Sequence, residues 1–313
     1  MEIKMKITAT FLDEISSDIP HQNWGRKEWD RDFAAMKKMG IDTVVLIRSG
    51  FGKFIAYPSD HLINKHGCFR PPVDLVRMFL ELSEKYGMDF FFGLYDSRFY
   101  RCKGDLQTEV EINKYVAEEI IRNYGGSPAL KGWYLSIEVG RACKGIIEHY
   151  RDLGSFVKSV KMLPTMISPF IEAGQKLAQG ARLGGDPAAI TFAEHEKEWD
   201  EILAGIKGAV DIVAFQDGNC PLEMLPEFLS INKKLTDRHG MHCWTNSETF
   251  DRDMPIRFLP IKWEKLLLKL QAAEAAGVEK GLTFEFSHFM SPNSCYQAAH
   301  GLYDRYCEYF GIQ

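Results

Sequence analysis

Eight short apolar runs punctuate this chain at nearly regular intervals. They start at residues 7, 43, 89, 132, 164, 211, 241 and 281, so successive starts lie 30–47 residues apart. Between them lie longer amphipathic stretches. An extended run followed by a helix, repeated at that spacing, is the βα unit. Runs that are apolar throughout, rather than alternating, imply strands buried on both faces. Few architectures accept such a chain. An open doubly wound sheet would need the Gly-rich dinucleotide fingerprint after its first strand, and the sequence lacks it. A single-domain (β/α)8 TIM barrel over residues 1–313 is therefore the expected fold.

The element boundaries follow from local chemistry. Strands are expected at 7–12, 43–48, 89–95, 132–138, 164–169, 211–216, 241–246 and 281–286. Helices are expected at 24–39, from 71–72 to 86, at 106–124, within 147–162, and at 188–206, 222–239, 261–276 and 294–310. Gly40, Gly87, Gly125-Gly126, Gly240 and Gly277 serve as helix stops. Segments 49–70 and 170–187, the second containing a Gly-rich stretch at 174–186, read as long loops that shape a cleft.

Composition narrows the function. The net charge is −5, with a pI near 6.0. Lys and Arg are interspersed with Asp and Glu, so neither nucleic acid nor a membrane is an expected partner. The seven cysteines form no CxxC pair, which argues for reduced, mostly buried thiols over a zinc site. The first residues are charged and lack a leader's apolar core. The chain is expected in the cytoplasm, or outside it where a signal peptide has been trimmed. No cofactor is implied, and oligomeric state is not legible.

A barrel carries its chemistry where the parallel strands end. Glu138 closes the fourth run and Glu248 follows the seventh. An ionised Glu is seldom buried without a partner or a task. A salt bridge to Arg48, Arg98 or Arg141 is the plain explanation. The chemical one is a pair of carboxylates across the barrel mouth, the minimum equipment for cleaving a glycosidic bond. The other strand ends add Asp13, Arg48, Tyr95, Asp96, Tyr134, Gln216, Asp217, Asn246, Glu285 and His288. Together they form a ring of hydrogen-bonding groups suited to a carbohydrate substrate. Trp24 and Trp244 offer aromatic faces for sugar C–H groups, although aromatics more often fill cores. An alternative arrangement puts Glu138, Asp217, Glu248, Glu285 and His288 around a divalent ion, as in a sugar isomerase or epimerase. A catalytically inactive carbohydrate-binding barrel is a third reading.

Trp24 and five segments carry a family resemblance: Phe11-Leu-Asp-Glu, Trp29 to Val44, Tyr57-Pro-Ser, Gly132 to Glu138 and Phe284 to Pro292. They resemble the DUF4434 family, TIM barrels regarded as candidate glycoside hydrolases, over most of the chain. More distantly, Glu residues at strands 4 and 7 are similar to those of the large retaining glycosidase clan. That resemblance implies Glu138 as acid/base and Glu248 as nucleophile. The clan usually has Asn directly before its strand-4 Glu, to bind the sugar 2-hydroxyl, and here Ile137 stands there.

Overall fold

The computed structural model describes residues 3–17, 19–173, 189–251 and 258–313. Eight parallel strands close into a barrel: β1 (Ile7–Leu12), β2 (Thr43–Leu46), β3 (Asp89–Gly93), β4 (Leu130–Tyr134), β5 (Thr165–Ile167), β6 (Ile212–Gln216), β7 (His242–Asn246) and β8 (Lys280–Thr283). Each pairs with its sequence neighbours, and β8 closes the ring on β1. Eight principal helices surround it: α1 (Arg26–Met39), α2 (Leu75–Tyr86), α3 (Leu106–Tyr124), α4 (Ile146–Val160), α5 (Phe192–Ile206), α6 (Leu225–His239), α7 (Trp263–Ala275) and α8 (Gln297–Phe310). This is the (β/α)8 TIM barrel.

Alternation along each strand divides the apolar side chains into two cores. Inside the barrel lie Ala9, Phe11, Val45, Phe91, Tyr134, Met166, Ile212, Ala214 and Leu282. The opposite faces pack on the helix ring, as Trp133 and Phe92 do. The interior is filled rather than hollow, as expected for eight strands. Helix boundaries follow the local signals. Asp74 and Asp105 cap α2 and α3 by accepting from the backbone N–H groups of Arg77 and Thr108, each three residues on. Gly40, Gly87 and Gly240 close α1, α2 and α6 in the left-handed conformation that glycine adopts without a steric cost.

Several expected boundaries shift. Strand β4 runs from 130 to 134, not 132 to 138. Its ladder ends when Leu135 donates to Met166, and residues 135–138 lie outside any strand. Strand β8 stops at Thr283, and a four-residue helix, Phe286–Phe289, begins where the strand was expected to continue. Segment 49–70 is not a plain loop. A hairpin, Gly50–Phe51 with Phe54–Ile55, pairs with Tyr95–Asp96 beyond β3, and a helix spans Asp60–His66. The Gly-rich stretch 174–186 lies outside the described residues.

Candidate active site

Four side chains expected at the mouth share one cavity at the C-terminal end of the barrel: Arg48, Glu138, Gln216 and Glu248. Ser16, Ile19, Ile47, Phe250, Phe258 and Phe284 complete its wall. Its volume is about 80 Å³. At roughly 10–15 Å³ per water, that is space for about six waters, comparable to one sugar ring.

Glu138 sits four residues past β4. Tyr134, at the strand's end, donates its hydroxyl to Glu138 Oε1 at 2.6 Å. Burial raises the Glu138 pKa above the ordinary carboxylate value, and the neighbouring Glu248 charge adds to the rise. Arg48, Tyr134 and Gln216 oppose it without cancelling it. Burial likewise works against the charge on Arg48, but Glu138, Asp13 and Asp96 hold that guanidinium above its usual pKa. Arg48 donates to the Ser16 hydroxyl at 3.2 Å. Its Nε is buried without a protein partner.

Glu248 is 2% exposed and is positioned through its backbone. Its N–H donates to Asp217 Oδ1 at 3.0 Å, and its carbonyl accepts from Lys269 Nζ, also at 3.0 Å. Lys269 and Asp217 form a buried ion pair at 2.7 Å. Asp217 thus stands behind the site and buttresses Glu248. Gly218 gives the Glu248 carboxylate its place, because a Cβ there would lie 1.6 Å from Oε2. Gly218→Ala should therefore push the carboxylate aside by at least about 1 Å. An expected loss of roughly 10²-fold in kcat follows, the scale of a misplacement near 1 Å. Steady-state rates beside a thermal melt check this. Full activity in a folded G218A protein would count against a role for Glu248 at this position.

The remaining expected residues lie elsewhere. Trp244 does not line the cavity. It sits in the barrel interior, paired in register with Lys280 at the start of β8, with the Lys280 ammonium 5.3 Å from its ring. Trp24 packs edge-on against Trp29, their centroids 5.1 Å apart. Tyr95 donates to the Gly52 carbonyl at 2.6 Å and faces a different cavity. Asp96 pairs with Arg101 at 2.9 Å. Asn246 donates to Ser168, beneath the mouth. Asp13 accepts from the backbone N–H groups of Ile15 and Ser16, which folds the loop carrying Ser16 into the cavity wall.

Glu285 is wholly buried and caps the Phe286–Phe289 helix, accepting from the N–H groups of Ser287 and His288. It also pairs with the His288 ring. Burial opposes a charge on His288, but Glu285 outweighs it and lifts the imidazole to about 9. Glu14, nearby, is raised by burial to about 7. The five residues of the isomerase arrangement therefore do not converge. Glu285 binds His288 and Asp217 binds Lys269. Among the described residues no group of three or more His, Cys, Asp or Glu side chains is placed to hold a metal.

Sequence reasoning missed Lys269, Gly218 and the phenylalanine wall. Lys269 left a signal: it falls on the stripe Leu266, Leu270, Ala273 that α7 buries. A charge on an apolar stripe points to a buried partner.

The chain is similar to a candidate alpha-L-fucosidase from Bacteroides thetaiotaomicron. That crystal structure is 55% identical with a TM-score of 0.95, and the match covers 99% of this chain and 96% of that one. More remote are an endo-1,4-beta-D-mannanase from Thermotoga petrophila (11% identity, TM-score 0.55, 90% and 88% covered) and a beta-glucuronidase from an uncultured Clostridium (12%, 0.56, 97% and 50%). At those identities they share the fold alone. No curated protein matches the chain. The family described as a domain of unknown function, DUF4434, matches residues 7–296, and the chain is a member of it.

Proposed function

We propose that this barrel is a retaining glycoside hydrolase. One observation carries the reading: Glu138, beyond the end of β4, and Glu248, beyond the end of β7, wall a single cavity. Burial keeps Glu138 protonated above the ordinary carboxylate range, as a general acid requires. Glu248 is fixed by backbone contacts and by the notch at Gly218, as a nucleophile should be. The remaining wall combines hydrogen-bonding groups with an apolar side built from Ile19, Ile47 and three phenylalanines. That mixture suits one sugar ring, and its apolar side suits a 6-deoxy sugar. The candidate alpha-L-fucosidase supports the same class and makes α-L-fucosides the first substrates to try.

In the proposed reaction Glu138 gives its proton to the glycosidic oxygen as the bond from that oxygen to C1 breaks. The Glu248 carboxylate attacks C1 and forms a glycosyl ester. Glu138, now a carboxylate, takes a proton from water. The water oxygen bonds to C1, and Glu248 leaves. Arg48 lowers the cost of each state in which both carboxylates carry charge.

The test is a panel of aryl glycosides that includes α-L-fucoside, with the first-formed anomer read by NMR. Retention of configuration is expected. Inversion would reassign Glu248 to activating water, and a panel without any turnover would sink the hydrolase reading.

A further inference from the structure

A second cavity, about 730 Å³, opens beside the first, and Glu138 walls both. It lies between the loop before α3 and the segment that joins β4 to α4. Arg101, Lys103, Gln107, Lys144, Glu148 and His149 line it with Glu138. These side chains offer donors and acceptors in mixed charge rather than a field of one sign. Arg101 is held in place by Asp96 at 2.9 Å. The first turn of α4 contributes backbone N–H groups, because its N-cap is Gly145 and has no side chain to satisfy them.

His149 adds a separate observation. The residue is 2% exposed, yet its Nε2 is buried with no protein partner. Its Nδ1 lies 3.3 Å from the Leu106 carbonyl, an acceptor, so the proton belongs on Nδ1. Burial lowers its pKa to about 4, so the ring is neutral at physiological pH. Nε2 then carries a lone pair with nothing to accept from. The His149 ring therefore shapes the cavity wall, while its Nε2 is shut off from water behind that wall.

Resting on the hydrolase reading above, we infer that the larger cavity is the leaving-group subsite and receives a sugar rather than a small alcohol. Among the described residues Glu138 alone lines both cavities, and an acid that protonates a glycosidic oxygen has to stand at the boundary between the two halves of its substrate. The larger cavity lies within the range of ordinary ligand pockets of about 300–1,000 Å³, so beside the smaller one it has room for at least one further ring.

Glycosyl fluorides, whose leaving group fills no subsite, separate this idea from its foundation. The probes are α-L-fucosyl, β-D-galactosyl and β-D-glucuronyl fluoride, each with a matching disaccharide. The variants are Cys143→Trp, which narrows the second cavity from an exposed rim position, and Lys144→Ala with Glu148→Gln, both at exposed positions. Loss of kcat/KM on the disaccharide should exceed loss on the fluoride at least tenfold. Equal losses on both probes, or none on either, would overturn the subsite while leaving the hydrolase intact. A parent protein inactive on every fluoride would overturn both.

Discussion

Glu248→Gln should abolish turnover, on good and poor leaving groups alike. The amide keeps the size of the carboxylate, and the backbone contacts to Asp217 and Lys269 do not involve the side chain, so the fold should survive. What disappears is the only group proposed to form a bond to C1, and no leaving group compensates for that. The expected loss is on the order of 10⁴-fold or more, at or beyond the upper end of the 10²–10⁴ typical of a general acid. Initial rates with an aryl glycoside and a glycosyl fluoride measure it. A fluorosugar that traps the glycosyl ester should label Glu248 in the parent, as read by peptide mass. A label on another carboxylate would remove Glu248 from the mechanism.

Glu138→Gln should behave differently, and the contrast is the stronger test. Loss of roughly 10²–10⁴-fold is expected with a poor leaving group. With fluoride as leaving group the first step should be nearly untouched, because little protonation is needed. The pH profile gives an independent reading. Burial and the Glu248 charge raise the Glu138 pKa, and the acid works only when protonated. Parent activity should therefore fall as pH rises through that raised value, above the ordinary carboxylate range. The alkaline limb should be absent from the Gln variant assayed with fluoride. Equal losses on both substrates, with the limb retained, would deny Glu138 the acid role.

The barrel was legible because its strands are apolar on both sides, a property that short runs display without any long-range information. The location of Glu138 was harder to read. Leu135, Ser136 and Ile137 continue the alternation of β4, and nothing local announces that the ladder stops at Tyr134. Glu285 was misplaced for a related reason. Its parity on β8 pointed inward, but the following residues turn into a helix that takes its carboxylate as a cap. Trp244 has the right parity and the wrong height, since alternation gives the face of a strand but not the depth within the barrel. Phe250 and Phe258 reach the cavity on the excursion after β7, where no periodicity applies. Asp217 and Lys269 lie 52 residues apart, and only folding pairs them.

The filled interior described for this barrel, with Trp244 near its lower end, closes the bottom of the cavity and leaves the C-terminal side as the way in and out. Sugar, departing alcohol and incoming water all have to use it. In the proposed reaction the departing alcohol must therefore clear that side before water reaches the glycosyl ester. Any second alcohol that lingers there competes with water for the same carbon. On the proposed mechanism a filled core at the bottom of the barrel thus sets the order of traffic at the top, and transfer of the sugar to another hydroxyl is the expected outcome when acceptors are abundant.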